Sequence, residues 1–183
     1  MSPIIVILIL LVIVVGACVA LYNKIIKLGN RVDNAWQTID TQLQRRNDLI
    51  PNLVETVKGY AGHESETFQA VTNARAAAVS ASSPEAKMAA ANELSGVLSR
   101  LMVTLENYPD LKANVNFQQL QSDLTDTENR ISYARQSFND CVMMFNNAIQ
   151  TFPGNVIASI AGFEPRGGFQ AAETARVTPN VQF

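Results

Sequence analysis

Histidine is nearly absent from this chain, with His63 the single copy among 183 residues. No pair of histidines is available to hold a metal at helical spacing, and no HExxH zinc site exists. His63-Glu64-Ser65-Glu66 could chelate a cation weakly, but a lone histidine in a turn is more often a capping or hydrogen-bonding residue. Cysteine is also scarce: Cys18 and Cys141 are far apart and cannot form a disulfide framework. No Gly-x-Ser-x-Gly elbow and no Gly-x-x-x-x-Gly-Lys phosphate loop occurs. Charge is sparse as well, at 16% of residues with a net charge of −2 and no run of Lys or Arg. That balance gives no field for a phosphate backbone and excludes nucleic acid as the expected partner. The reading is a non-enzymatic protein with no catalytic residue, no cofactor and no metal.

What the chain has in abundance is apolar sequence without charge. From Ile4 to Tyr22 it reads IIVILILLVIVVGACVALY. As a helix this run covers about 28 Å, close to the roughly 30 Å hydrocarbon core of a bilayer, and a helix satisfies its own backbone there. Residues 1–22 are therefore expected to be a transmembrane anchor. A cleaved signal peptide would need a basic leading region and a small-residue cleavage site, whereas only Met1, Ser2 and Pro3 precede the run. Val15-Gly16-Ala17-Cys18 resembles a bacterial lipobox, which would make Cys18 a lipid-bearing N-terminus; the apolar Val19 to Leu21 that follow argue against it. Otherwise Cys18 is a small residue within the membrane. Gly16-x-x-x-Ala20 is a small-xxx-small pattern that lets two spans pack closely, with plain membrane filler as the bland alternative.

The first cations come after the span. Lys24, Lys27 and Arg31 stand at offsets of three and seven, on one helix face, where they could meet anionic headgroups. Lys and Arg are retained on the cytoplasmic side, so the expectation is a short external N-terminus and a cytoplasmic body. A periplasmic or extracytoplasmic body is the alternative, because a large body can translocate regardless of charge.

The remainder is expected to be one helical domain. Phe117, Leu120, Leu124, Thr127, Ile131, Ala134, Phe138, Cys141, Phe145, Ala148 and Phe152 follow alternating steps of three and four, the seam of a helix packed in a bundle or coiled coil. On that seam Cys141 should be a buried, unreactive thiol. Asn116 is a candidate N-cap for this helix and Pro153-Gly154 a stop. Ser83-Pro84-Glu85 reads as N-cap, N1 proline and first-turn acid of an earlier helix that carries Leu94, Leu98, Leu101, Leu105 and Tyr108 before Pro109 ends it. Nearer the span, Val32, Trp36, Ile39, Leu43, Arg46, Ile50, Leu53, Val57 and Tyr60 hold the same rhythm through Pro51, which predicts a kink and not a break. A turn is expected at Gly59, Gly62 and His63, then a helix over Glu64 to Ala81. Asn155 is a candidate cap for the apolar Val156 to Phe163, which either lies in the headgroup region or caps the bundle, and Pro165, Gly167, Gly168 and Pro179 predict an extended tail ending in Phe183. The fold expected is all-α, a single N-terminal transmembrane helix continuing into an elongated antiparallel four-helix bundle, with the anchor over 1–22, the bundle over 23–152 and the apolar segment and tail over 153–183.

The block Gln44-Arg45-Arg46-Asn47-Asp48-Leu49-Ile50-Pro51-Asn52-Leu53-Val54, with Tyr108-Pro109-Asp110-Leu111-Lys112-Ala113-Asn114 and Phe152-Pro153-Gly154-Asn155, resembles the LemA family of bacteria over nearly the whole chain. The resemblance implies an anchor in the cytoplasmic membrane and a helical bundle, and it implies no reaction. It also points to a magnetosome-membrane relative and to members encoded near membrane-embedded zinc proteases, though no mineral-compartment role is carried over. Within the block, Arg45, Arg46, Asp48 and Asn52 form a candidate interaction surface, since arginine offers planar multidentate contacts. The local alternative has Asp48 and Asn52 satisfying backbone groups freed around Pro51 while the arginines make ion pairs inside the bundle. The functional expectation is a membrane-anchored scaffold or adaptor of the envelope that self-associates, with the lipid bilayer and other membrane proteins, such as a membrane protease, as partners. Direct membrane shaping through Lys24, Lys27, Arg31 and the Val156 to Phe163 stretch is the alternative.

Overall fold

The computed structural model describes residues 2–60 and 65–169. Gly62 and His63 of the expected turn, and Pro179 and Phe183 of the expected tail, lie outside them. Among the described residues every regular element is helical: α1 (Pro3–Lys58), α2 (Ser65–Ser80), α3 (Pro84–Leu105), α4 (Pro109–Lys112), α5 (Val115–Gln150) and α6 (Gly154–Ala161). The all-α reading holds, and the apolar run is the first part of α1, long and apolar enough to cross a membrane and exposed throughout its most apolar window. Two compact units divide the chain. One comprises Met1–Thr38 with Ala134–Phe183, and the other Ile39–Tyr133.

In the unit of residues 39–133 the core forms where the apolar stripes of five helices meet. Ile50, Leu53 and Val57 of α1, Phe68 and Val71 of α2, Leu94, Leu101 and Leu105 of α3, Leu111 of α4 and Phe117 of α5 are buried together. Their spacings of three and four residues keep each set on one helix face. The short connection between α2 and α3 makes those two helices antiparallel neighbours. Ser83 starts α3 as expected, its side chain accepting from the Ala86 N–H at 3.1 Å. The far end of α3 differs from expectation. The helix stops at Leu105, and Pro109 opens the extra turn α4, fixing the backbone at its N1 position and sending Leu111 into the core. Asn116 is not the cap of α5. Asn114 is, its Oδ1 accepting from the N–H groups of Asn116 at 2.9 Å and Phe117 at 3.1 Å.

α1 runs without a break through Pro51. A helix-interior proline removes one N–H, which leaves the carbonyl four residues earlier without its intrahelical donor. That carbonyl belongs to Asn47, and the Arg75 Nε of α2 donates to it at 2.8 Å. Neither Asp48 nor Asn52 takes this role, contrary to the local alternative; both are exposed. Tyr60, the expected last member of the α1 seam, lies beyond the helix end and is exposed, with its hydroxyl accepting from Asn114 Nδ2 at 2.9 Å.

In the unit of residues 1–38 and 134–169, Ile25 and Val32 of α1 are buried, as are Ala134, Phe138, Val142, Phe145 and Ile149 of α5. The expected α5 seam therefore holds at Phe138 and Phe145 while its other position moves on by one residue: Val142 and Ile149 are buried where Cys141 and Ala148 are only half-buried, and Phe152, past the end of the helix, is 82% exposed. A strict seven-residue repeat drifts by about 20° per heptad on a straight α-helix, so over the three heptads from Leu120 to Cys141 the position turns by about 60°, more than half of the roughly 100° between successive residues, and the next residue faces inward. Cys141 is thus not the fully buried thiol expected.

Past α6 the chain is extended and runs back along α5. Asn146 exchanges two hydrogen bonds with the backbone of Arg166, both at 2.9 Å, and Asn139 does the same with Phe169 at 2.7 and 3.2 Å. Seven helical residues rise about 10 Å, and three extended residues span the same length, so two asparagines two turns apart hold the tail in register. Gly168 fits against this clamp: a Cβ there would lie 3.0 Å from Asn139 Oδ1. Phe169 stacks on Trp36 at a centroid distance of 6.1 Å and meets Phe138 edge-on at 5.2 Å. The extended tail is therefore found where described, but as a docked strap. Asn155 does not cap α6; Pro153 occupies that position and Asn155 lies in the first turn.

Candidate functional site

The most specific sequence block places one charged residue in phase with the apolar seam of α1. Arg46, two turns from Leu53 and one from Leu43 and Ile50, is only 1% exposed. A guanidinium cannot shed its charge, so burying it requires partners for its donors. Its NH1 donates to Ser95 Oγ at 2.7 Å and to Glu128 Oε2 at 2.9 Å, and its NH2 donates to the Ala91 carbonyl at 3.1 Å. Ser95 Oγ also reaches Ala91 O, at 3.1 Å, and Glu128 Oε1, at 3.3 Å. One side chain of α1 thereby ties α3 and α5 at fixed depth. Glu128 is 48% exposed, so the pair is dry at the arginine and wet at the carboxylate.

A second polar set borders it. Lys87 of α3 pairs with Asp40 of α1 at 2.5 Å, and Arg75 covers the Asn47 carbonyl as described above. Asp40, Arg46, Asn47, Arg75 and Lys87, with Ala78 and Ala91, line a cavity of about 300 Å³. The alanines of α2 and α3 keep the helices close enough for these long side chains to reach across.

Of the four residues read as an interaction surface, Arg45, Asp48 and Asn52 are exposed and Arg46 faces inward. Lys24, Lys27 and Arg31 are all exposed on α1 beyond the span, and Gly16 and Ala20 are exposed within it, with open space around the position of a Gly16 Cβ. Cys18 is an exposed free thiol. Among the described residues no group of three or more His, Cys, Asp or Glu side chains is arranged to hold a metal. His63 lies outside the described residues. Sequence reasoning missed Ser95, Glu128, Arg75 and Lys87. Arg75 and Lys87 each left a trace, as the single charge inside an alanine-rich stretch, Ala74 to Ala78 of α2 and Ala86 to Ala91 of α3.

The match to known families runs through this same block. The LemA family profile covers residues 35–183, which takes in Arg46, Ser95, Glu128 and the docked tail. The chain belongs to the LemA family. It is similar to Protein LemA of Metamycoplasma hominis, with 27% identity over 159 residues, covering 85% of this chain and 71% of that protein. It is also similar to Magnetosome protein MamQ of Magnetospirillum gryphiswaldense, with 24% identity over 189 residues, and to Magnetosome protein MamQ 1 of Paramagnetospirillum magneticum, with 23% over the same length; each match covers 87% of this chain and 70% of the relative. In this LemA-family chain the apolar part of α1 precedes the family-matched residues.

Proposed function

We propose that this LemA-family chain is a non-enzymatic scaffold of the bacterial cytoplasmic membrane, held by its first helix and self-associating through it. The observation that carries this reading is that an apolar, charge-free helix, exposed along its length, continues without a break into a helical body. Within that body's most specific motif, the buried cation Arg46 is engaged internally. The two terminal nitrogens of Arg46 bond to α3 and α5, an arrangement that suits a rigid presenting surface. Exposed Arg45, Asp48 and Asn52 then supply a polar face for other envelope proteins, a membrane-embedded protease being one partner class. The body faces the cytoplasm in this reading, since Lys24, Lys27 and Arg31 follow the span directly.

Self-association has a geometric signature. Gly16 and Ala20 are one turn apart on one side of the helix, and Cys18 stands about 200° round from Gly16. With Cys141 replaced by serine, Ala20→Cys in a Cys18→Ser background is expected to give a disulfide-linked dimer on mild oxidation of native membranes. The chain retaining Cys18 alone should give little. Monomers in both cases, with no heterologous adduct from a membrane-wide cross-linker, would remove the scaffold reading.

A second reading, direct membrane shaping, is favoured by the exposure of Lys24, Lys27 and Arg31 together with the apolar face of α6. It requires that the purified chain deform liposomes at high surface density.

A further inference from the structure

α6 is built inside out for a soluble helix. Its buried residues are the two small ones, Gly154 and Ala158, while Val156 is 50% and Ile160 83% exposed. Phe152, one turn before Val156, is 82% exposed. A short amphipathic helix packing on a protein core turns its large apolar side chains inward and leaves small or polar ones outside. Here Phe152, Val156 and Ile160, spaced by four, project away from the protein in a segment with no charged residue between Phe152 and Phe163.

Position supplies the occupant. The Phe163 ring, just past the C-terminal end of α6, lies against Tyr22 at a centroid distance of 5.8 Å and against Phe145 at 6.5 Å. Tyr22 is the last residue of the charge-free run, and Lys24 follows within one turn. α6 is therefore packed where the apolar helix ends and the first cations begin, the depth at which aromatic residues sit in membrane proteins. Eight residues rise only about 12 Å, too short to cross a bilayer and long enough to lie in its surface.

We propose that α6 is an interfacial helix, with Phe152, Val156 and Ile160 seated in the headgroup and upper acyl region of the same leaflet from which α1 emerges. This rests on the anchoring of α1 proposed above. It gives the chain a second point of membrane contact, and because Gly154 and Ala158 fix α6 to the protein, it also fixes how the adjoining segments of α1 and α5 stand on the bilayer.

The test uses the full chain in vesicles of phosphatidylcholine and phosphatidylglycerol, with lipids brominated either near the headgroup end or near the terminus of the acyl chain. Ile160→Trp and Ile13→Trp are compared with the wild-type chain, whose Trp36 supplies the baseline; all the added tryptophans replace exposed residues, so folding is retained. Ile13→Trp is expected to lose fluorescence to bromine near the chain terminus. Ile160→Trp is expected to shift to shorter wavelength and to lose fluorescence mainly to bromine near the headgroup. Ile160→Trp indifferent to both lipids while Ile13→Trp is quenched overturns the proposal and leaves the anchor standing. A wavelength shift without quenching that grows with protein density means that a second copy covers α6, and overturns it too. Failure of Ile13→Trp to be quenched removes the anchor itself, and the interfacial helix with it.

Discussion

Arg46→Ala is expected to lower the stability of the full chain in detergent micelles by about 3 kcal/mol, as the loss of a buried, multiply bonded guanidinium generally does. For a chain of this size that corresponds to a fall in melting temperature of roughly 6 to 12 °C. The cost comes from the lost charge-assisted bonds and the space left between α1, α3 and α5. Little of it comes from orphaned partners: the Ala91 carbonyl keeps its contact with Ser95 Oγ, and the half-exposed Glu128 carboxylate can turn to water. Arg46→Lys keeps the charge but loses the fork that reaches both helices, and should recover about half of the loss. Arg46→Met combined with Glu128→Gln removes the pair as a whole and should be close to neutral, because an apolar side chain of similar volume does not carry the desolvation cost of the ion. Thermal or urea unfolding of the four proteins checks the series. A melting temperature for Arg46→Ala equal to that of the wild type would mean that the network is not what ties the three helices together.

Gly154→Ala is the second substitution with a large expected effect. A Cβ at residue 154 would lie 2.0 Å from the Ala148 carbonyl oxygen and 3.2 Å from its carbon. Both are backbone atoms of the last turn of α5, so no side chain can rotate aside and α6 itself must move. Overpacking of this kind costs about 3 kcal/mol, which should be enough to weaken the seating of Phe163 against Tyr22 and Phe145. Cleavage by chymotrypsin after Phe163 should become faster, with the melting temperature lowered. Gly96→Ala is the matched control. Gly96 is exposed in the interior of α3 with nothing within 4 Å of its Cβ position, and alanine there should stabilise by about 0.5–1 kcal/mol. If Gly154→Ala leaves both readouts unchanged, α6 is not held by close backbone packing.

Periodicity carried most of the fold because it reports something local, which residues share a face. The seams of α1 and α5, the Ser83 cap and the persistence of α1 through Pro51 were legible in that way. Misreadings arose where a local rule met accumulated geometry or a distant partner. The α5 seam slipped at Cys141 because a heptad is not two full turns of a straight helix. The Asn114 cap lay two residues earlier than the one chosen, since Asn114 and Asn116 both suit the role and only the arrival of the chain from α4 selects between them. Arg46 was visible as a charge on an apolar seam, which by itself demands partners. Their identities were not visible, because Ser95 and Glu128 are 49 and 82 residues away in sequence and neither breaks a pattern on its own helix. The Arg75 contact with the Asn47 carbonyl follows from Pro51 only once α2 is known to lie beside α1. For α6, composition left headgroup region and bundle cap equally open; the exposure of Phe152 and Ile160 and the Tyr22–Phe163 contact are what favour the membrane.

The central claim is that lipid holds the apolar part of α1 as a permanent anchor, and alkaline carbonate extraction of membranes from cells expressing the full chain tests it most directly. With that anchor in place the polypeptide, Ile4 to Tyr22 still attached by N-terminal sequencing or mass, stays in the membrane pellet until detergent is added. Recovery of a polypeptide beginning after Tyr22 in the aqueous supernatant would contradict it.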